Sequence, residues 1–244
     1  MTLSREIDPA VWYRADWEQC DDWIIELTDE EIQELKDAVS RSQAVPIPKL
    51  SAGSFTLPAF ASRIRKLRTE LIYGRGFAVI RGLPVHEWDR ESSARAYYGI
   101  GCHLGVPVSQ NAQGHLLGHV YDLDLDPLDP LNRVYQTNYR QLFHTDSTDI
   151  VGLLCLQPAR TGGLSSICSS STIYHEIAEC RPDLLKVLCR RFHIDRKGET
   201  PQGEDETYEM AVFYPDEERV TCIYARDFID AAQRHSHIPP LTTE

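Results

Sequence analysis

The stretch Phe143-His144-Thr145-Asp146-Ser147-Thr148-Asp149, running into Ile150-Val151-Gly152-Leu153-Leu154-Cys155-Leu156, decides how this chain is read. On an extended strand residues i and i+2 point to one face, so His144 and Asp146 present an imidazole and a carboxylate side by side. The apolar run behind them has the length of a buried strand. Pro158 and the turn signal Thr161-Gly162-Gly163-Leu164-Ser165 follow, leading into a small-residue strand, Ser166 to Ser169.

An imidazole and a carboxylate on one face are two members of a metal triad of two histidines and one carboxylate. With open coordination positions, that triad is the cage of non-haem Fe(II) oxygenases. A His-x-Asp pair alone recurs by chance, so the rest of the chain must carry the weight.

Working outward, 244 residues suffice for one large domain with a substantial core, and 42% hydrophobic with 25% charged residues is ordinary globular usage. The balance of 25 basic against 37 acidic residues, −12 overall, argues against a nucleic-acid or anionic-membrane partner. The basic cluster Arg63-Ile64-Arg65-Lys66-Leu67-Arg68 reads as the solvated face of a helix. Seven cysteines without a Cys-x-x-Cys pair make neither a disulfide framework nor a zinc site, and Cys155 and Cys168 read as buried thiols. Met1-Thr2-Leu3-Ser4-Arg5-Glu6 has no apolar stretch behind it and no segment is long enough to span a bilayer, so a cytoplasmic location is expected.

Trp12, Trp17 and Trp23 predict an N-terminal arm docked by aromatic anchors. Thr28-Asp29-Glu30-Glu31 is a capping box for a helix with Ile32, Leu35 and Val39 on its apolar face, ended by Val45-Pro46-Ile47-Pro48. A second helix from about Pro58 carries Phe60, Ile64, Leu67 and Leu71 and stops at Gly74. Phe77 to Ile80 is strand-like, and Asp89 opens a helix to about Leu104. From Val106 strands are expected to take over, with a helical pair near Ser171 to Arg191. A hairpin joins Tyr208 to Tyr214 with Val220 to Tyr224, and a last helix runs from about Arg226 to His235. Without a repeat or linker, one domain over 1–244 is expected, with residues 1–50 as arm and first helix.

Rival constellations are weaker. His115-Leu116-Leu117-Gly118-His119 has the i, i+4 histidines of a helical zinc site, but Gly114 and Gly118 disfavour a helix and no glutamate supplies a base. Asp122, Asp124, Asp126 and Asp129 lack the glycine and terminal glutamate of a calcium loop and read as a solvated acidic loop. His175-Glu176 and His193 read as helix or strand surface, and Ser169-Ser170-Ser171 as the start of a helix.

The sequence resembles the TauD/TfdA-type (taurine catabolism dioxygenase-like) Fe(II)- and 2-oxoglutarate-dependent oxygenases. The resemblance rests on Phe143 to Ser169, with support from Asp8-Pro9-Ala10-Val11-Trp12-Tyr13, Gly76-Phe77-Ala78-Val79-Ile80-Arg81-Gly82, Ser109-Gln110-Asn111-Ala112-Gln113-Gly114 and Leu117-Gly118-His119-Val120. It extends through Arg181-Pro182-Asp183-Leu184-Leu185 to Phe228-Ile229 and so covers nearly the whole chain. It implies an α+β fold with a mainly β core, a double-stranded β-helix (jelly roll, clavaminate synthase-like) with flanking helices.

The resemblance further implies His144 and Asp146 as iron ligands, and Ser165, where the family usually has threonine, as a hydroxyl toward the distal carboxylate of 2-oxoglutarate. Gln110 and Asn111 match polar groups beside a small-molecule substrate, or equally a turn amide pair between strands. The cofactors implied are Fe(II) and 2-oxoglutarate, the latter decarboxylated to succinate and CO2 as the substrate is oxidised.

One departure stands out. The family places its second histidine ligand on a late strand, followed by an arginine for 2-oxoglutarate, beyond a helix like Phe228 to Arg234, whereas this sequence ends at Glu244. His235 and His237 are the later histidines, but their helix-end setting and Pro239-Pro240 do not resemble that strand. The expectation is a chain lacking the C-terminal part. Three readings follow: an Fe(II)/2-oxoglutarate oxygenase, a catalytically inactive truncated relative acting as a small-molecule-binding or regulatory protein, or a cupin-like module holding a divalent ion structurally.

Overall fold

The structure, a computed structural model, describes residues 8–111, 113–127 and 129–242; the N-terminal hexapeptide Met1 to Glu6 lies outside them. The described chain gathers into two compact units, one from Trp12–Leu117 with Thr148–Ser166, the other from the described residues of Met1–Val11, Gly118–Ser147 and Ile167–Glu244.

The first unit is built on helices that the sequence specifies locally. A short strand β1 (Ile24–Glu26) leads into α1 (Asp29–Arg41), where the Thr28 side chain accepts from the Glu31 amide and Glu31 reaches back to the Thr28 amide. That reciprocal cap satisfies amides with no helical partner. Buried Glu31 also receives Arg63 at 2.5 Å, so one face of the basic cluster is tied down while Arg65 and Lys66 stay exposed. Helix α2 (Ala61–Tyr73) stops at Gly74, and β2 (Val79–Arg81) pairs in parallel with β1, Ile25 opposite Ile80. Helix α3 (Arg90–Leu104) starts at Asp89, whose carboxylate accepts from the Ser92 amide at 2.7 Å.

The core of this unit is Leu35, Val39, Phe55, Leu57, Phe60, Ile64, Ala96 and Ile100. Buried Arg95 donates to the Ser42 and Val45 carbonyls at 2.7 Å each, placing a cation at the C-terminal end of α1 where carbonyls are unsatisfied. Trp12, Trp17 and Trp23 surround Phe77 with centroids at 4.9, 5.2 and 5.9 Å, so the aromatic anchoring of the arm is realised on one ring.

In the second unit Ser169 caps α4 (Ser170–Cys180), and Pro182 opens α5 (Pro182–Leu188). Strands β3 (Arg191–Asp195) and β4 (Thr207–Ala211) are antiparallel, as are β5 (Phe213–Pro215) and β6 (Val220–Cys222), before α6 (Arg226–Ala232). Tyr174, Val212, Phe213 and Val220 form its apolar cluster. The expected hairpin is present. Its first arm is divided at Val212, because residues 207–211 pair with β3 and residues 213–215 with β6.

The stretch from Val106 to Ser169 differs from expectation. Among the described residues it contributes no strand to the three two-stranded sheets, and Ile150 to Leu156 is neither laddered nor buried. Val151, Leu153 and Leu156 are exposed, and so are Cys155 and Cys168, which correct to surface thiols. Burial still pushes the Cys168 thiol up, so its residue-level exposure conceals partial shielding. The Ser166 to Ser169 segment is likewise not a strand. An apolar run signals a strand only if a second chain segment accepts its backbone groups. His175 also corrects, from surface to buried, with its Nε2 lacking a hydrogen-bond partner. No described helix is long and apolar enough to cross a membrane.

Candidate active site

His144, Thr145 and Asp146 lie in non-helical, unladdered chain of the second unit, with His144 and Asp146 exposed and Thr145 half-buried. His144 Nδ1 is 2.8 Å from the Leu142 carbonyl oxygen. A carbonyl can only accept, so Nδ1 carries the proton, and in the neutral ring Nε2 then presents a lone pair. The Gln141 side-chain amide, 3.2 Å away, donates to that nitrogen. Imidazole ligands of metals are commonly fixed in this way, one nitrogen held by a carbonyl and the other left to bind. Among the described residues the Asp146 carboxylate has no hydrogen-bond or ion-pair partner, so both of its oxygens are available.

The motif is attached to the rest of its unit through Thr145. Its amide donates to the Tyr224 carbonyl at 2.7 Å, and its hydroxyl accepts the Tyr224 amide at 2.8 Å. Nothing in the sequence flags Tyr224, which is remote from the motif and carries no motif of its own. Gln141, three residues before His144, had only its nearness to recommend it.

His235 does not join this pair. Its Nε2 lies 2.8 Å from Asp195, which is fully buried at the end of β3 and also takes Arg234 at 2.7 Å and the Lys197 amide. Burial alone would raise the Asp195 pKa, but Arg234, the Lys197 amide and His235 together hold it below the ordinary carboxylate value. The His237 ring lies tilted against His235 with centroids 5.8 Å apart. Among the described residues no three His, Cys, Asp or Glu side chains are grouped to hold a metal ion. His144 Nε2 and the Asp146 carboxylate are a nitrogen and an oxygen of types that suit Fe(II).

The other nominated residues belong to the first unit. Gln110 donates from its side chain to the Val108 carbonyl at 3.0 Å. Asn111 accepts the Gln113 and His115 amides at 3.1 and 3.2 Å and meets His115 Nδ1 at 3.0 Å. These contacts shape a turn and account for His115 outside any helix. Ser165 is exposed in a loop after Gly163.

Comparison with known proteins adds to this geometry. The taurine catabolism dioxygenase TauD, TfdA family matches residues 31–244. The chain is 30% identical over 226 residues to FR-33289 synthase of Streptomyces rubellomurinus, covering 91% of this chain and 67% of that protein. It is 29% identical over 191 residues to the taurine hydroxylase-like protein SAT17 of Stachybotrys chartarum, covering 74% of this chain and 49% of that protein. The chain thus spans about two thirds of the first relative and half of the second.

Proposed function

The chain belongs to the taurine catabolism dioxygenase TauD, TfdA family, and from that premise we propose that it acts as a non-haem Fe(II)- and 2-oxoglutarate-dependent oxygenase on a small organic molecule, within a jelly-roll lineage. The observation that carries this reading is the 2.8 Å contact of His144 Nδ1 with the Leu142 carbonyl, which puts the ring proton on Nδ1 and the lone pair on Nε2, two residues from an unpaired carboxylate. His144 and Asp146 would hold the metal. Bound Fe(II) and 2-oxoglutarate would supply the oxidising chemistry, consuming dioxygen and releasing succinate and CO2 as the substrate is oxidised.

The protein's own part is to bind and orient. The Leu142 carbonyl keeps the Nδ1 proton in place, and the Gln141 amide must leave Nε2 before a metal can take it. Ser165 would offer its hydroxyl to 2-oxoglutarate, and Gln110 and Asn111 would face the substrate; likeness to the family supports these roles. For Asn111 the role requires giving up turn hydrogen bonds.

A second reading has an observation of its own. Two donors without a third, among the described residues, suit a relative that binds a small molecule without turning it over. Succinate release from 2-oxoglutarate under air, with and without added Fe(II), decides between them. The oxygenase gives Fe(II)-dependent succinate that His144→Ala abolishes. Binding of 2-oxoglutarate with no succinate from the parent protein would overturn it in favour of the second reading.

A further inference from the structure

We propose that the clasp between Thr145 and Tyr224 is the device that positions the two metal donors, making Thr145 a positioning residue. This rests on the oxygenase reading, because it assigns a purpose to the same two ligands. Along an extended chain the side chain between two that share a face points the other way. Thr145 is that intervening residue, and it is the half-buried one of the three.

Its two hydrogen bonds to Tyr224 are the long-range hydrogen bonds of residues 139–149 among the described residues. The other hydrogen bonds of His144, to Leu142 and Gln141, are local and move with the loop. In an antiparallel ladder the Tyr224 amide would go to the Thr145 carbonyl; here it goes to the hydroxyl. The pairing therefore depends on the identity of this side chain, not on backbone alone.

Tyr224 is itself well anchored. The preceding Ile223 amide donates to Val212 at 2.9 Å, and Cys222 pairs with Phe213 in the β5–β6 hairpin. Phe213 meets Tyr174 of α4 edge-on at 5.4 Å, within the buried cluster of the unit. A chain of specific contacts thus runs from the apolar cluster to the residue between the ligands. Metal donors must be held within about 0.5 Å of their productive positions, which exposed loop chain does not achieve unaided.

The test is an anaerobic Fe(II) titration of the full chain, with affinity read by competition against a chromophoric chelator and stability read from the urea midpoint. Thr145→Val removes the acceptor at nearly constant shape and is expected to weaken Fe(II) binding roughly 10–100-fold, the usual cost of losing an outer partner of a ligand. Thr145→Ser restores the hydroxyl and is expected to restore the affinity. Thr145→Ala, which adds no apolar branch, carries the same expected loss as Val should the latter fail to fold. If Thr145→Val or Thr145→Ala binds Fe(II) as the parent does while His144→Ala does not, the clasp is overturned and the ligand assignment stands. If the parent and His144→Ala bind Fe(II) equally, the ligand assignment falls and the clasp falls with it.

Discussion

Between Asp29 and Leu104 the chain packs three helices around Leu35, Phe55 and Phe60, all fully buried; between Val106 and Ser169 it makes no ladder among the described residues and leaves Val106, Leu153 and Leu164 89%, 76% and 94% exposed. The two regions have comparable apolar content but different ways of meeting their backbone hydrogen bonds. A helix closes its bonds four residues away and needs a neighbour only for one apolar stripe. An extended segment needs a partner strand for every backbone group it buries. All five nominated site residues, Gln110, Asn111, His144, Asp146 and Ser165, fall in the second kind of chain, and the exposed motif gains its long-range support from one residue.

The largest effect that would test this contrast lies in the helical region. A Cβ on Gly99 would come within 2.4 Å of the Phe55 ring, whereas one on Gly101 would meet nothing within 4 Å. Gly99→Ala is therefore expected to destabilise by about 1–3 kcal/mol, as overpacking does, while Gly101→Ala gains up to about 1 kcal/mol of helix propensity. Equal urea midpoints for the two variants would break the claim that α3 is packed against Phe55 and open two residues on.

A smaller effect is expected from acid. The Asp195 pKa is lowered in the folded state, so its contribution is fully present above the unfolded carboxylate value of ~3.9 and is lost as pH falls through the folded value. The stability difference between the parent and Asp195→Asn should be constant near neutrality and shrink below about pH 4. A difference that grows on acidification would show that Asp195 is not held as a carboxylate by Arg234 and His235.

The smallest effect belongs to the central region. Leu153 is exposed, so Leu153→Ser is expected to change stability by less than about 0.5 kcal/mol. A loss of several times that would mean the segment is buried in solution, and would erase the difference between the two regions.

Helix limits were legible because their signals are local. Thr28 with Glu31, Asp89 and Ser169 each mark a start found within a residue or so of its expected place. Strands were legible where a tight turn joins both partners, as in β5 and β6 around residues 216–219. They were not legible for β1, three residues long and paired with a strand beyond two helices, nor for Ile150 to Leu156, whose composition promised a ladder the described chain does not supply.

The candidate site divides the same way. By itself the sequence determined the side-chain types of the proposed donors and their spacing, His144 and Asp146 two residues apart, since neighbours on a chain cannot be far apart in space. Tertiary structure alone decided that Thr145 grips Tyr224 and that Asp195 takes His235 away from the pair, while Leu142 and Gln141 hold the His144 ring through local contacts. Of these, the pairings with Tyr224 and Asp195 join residues tens of positions apart. Their free energy depends on the packing that brings the segments together, and no local pattern of side chains encodes it.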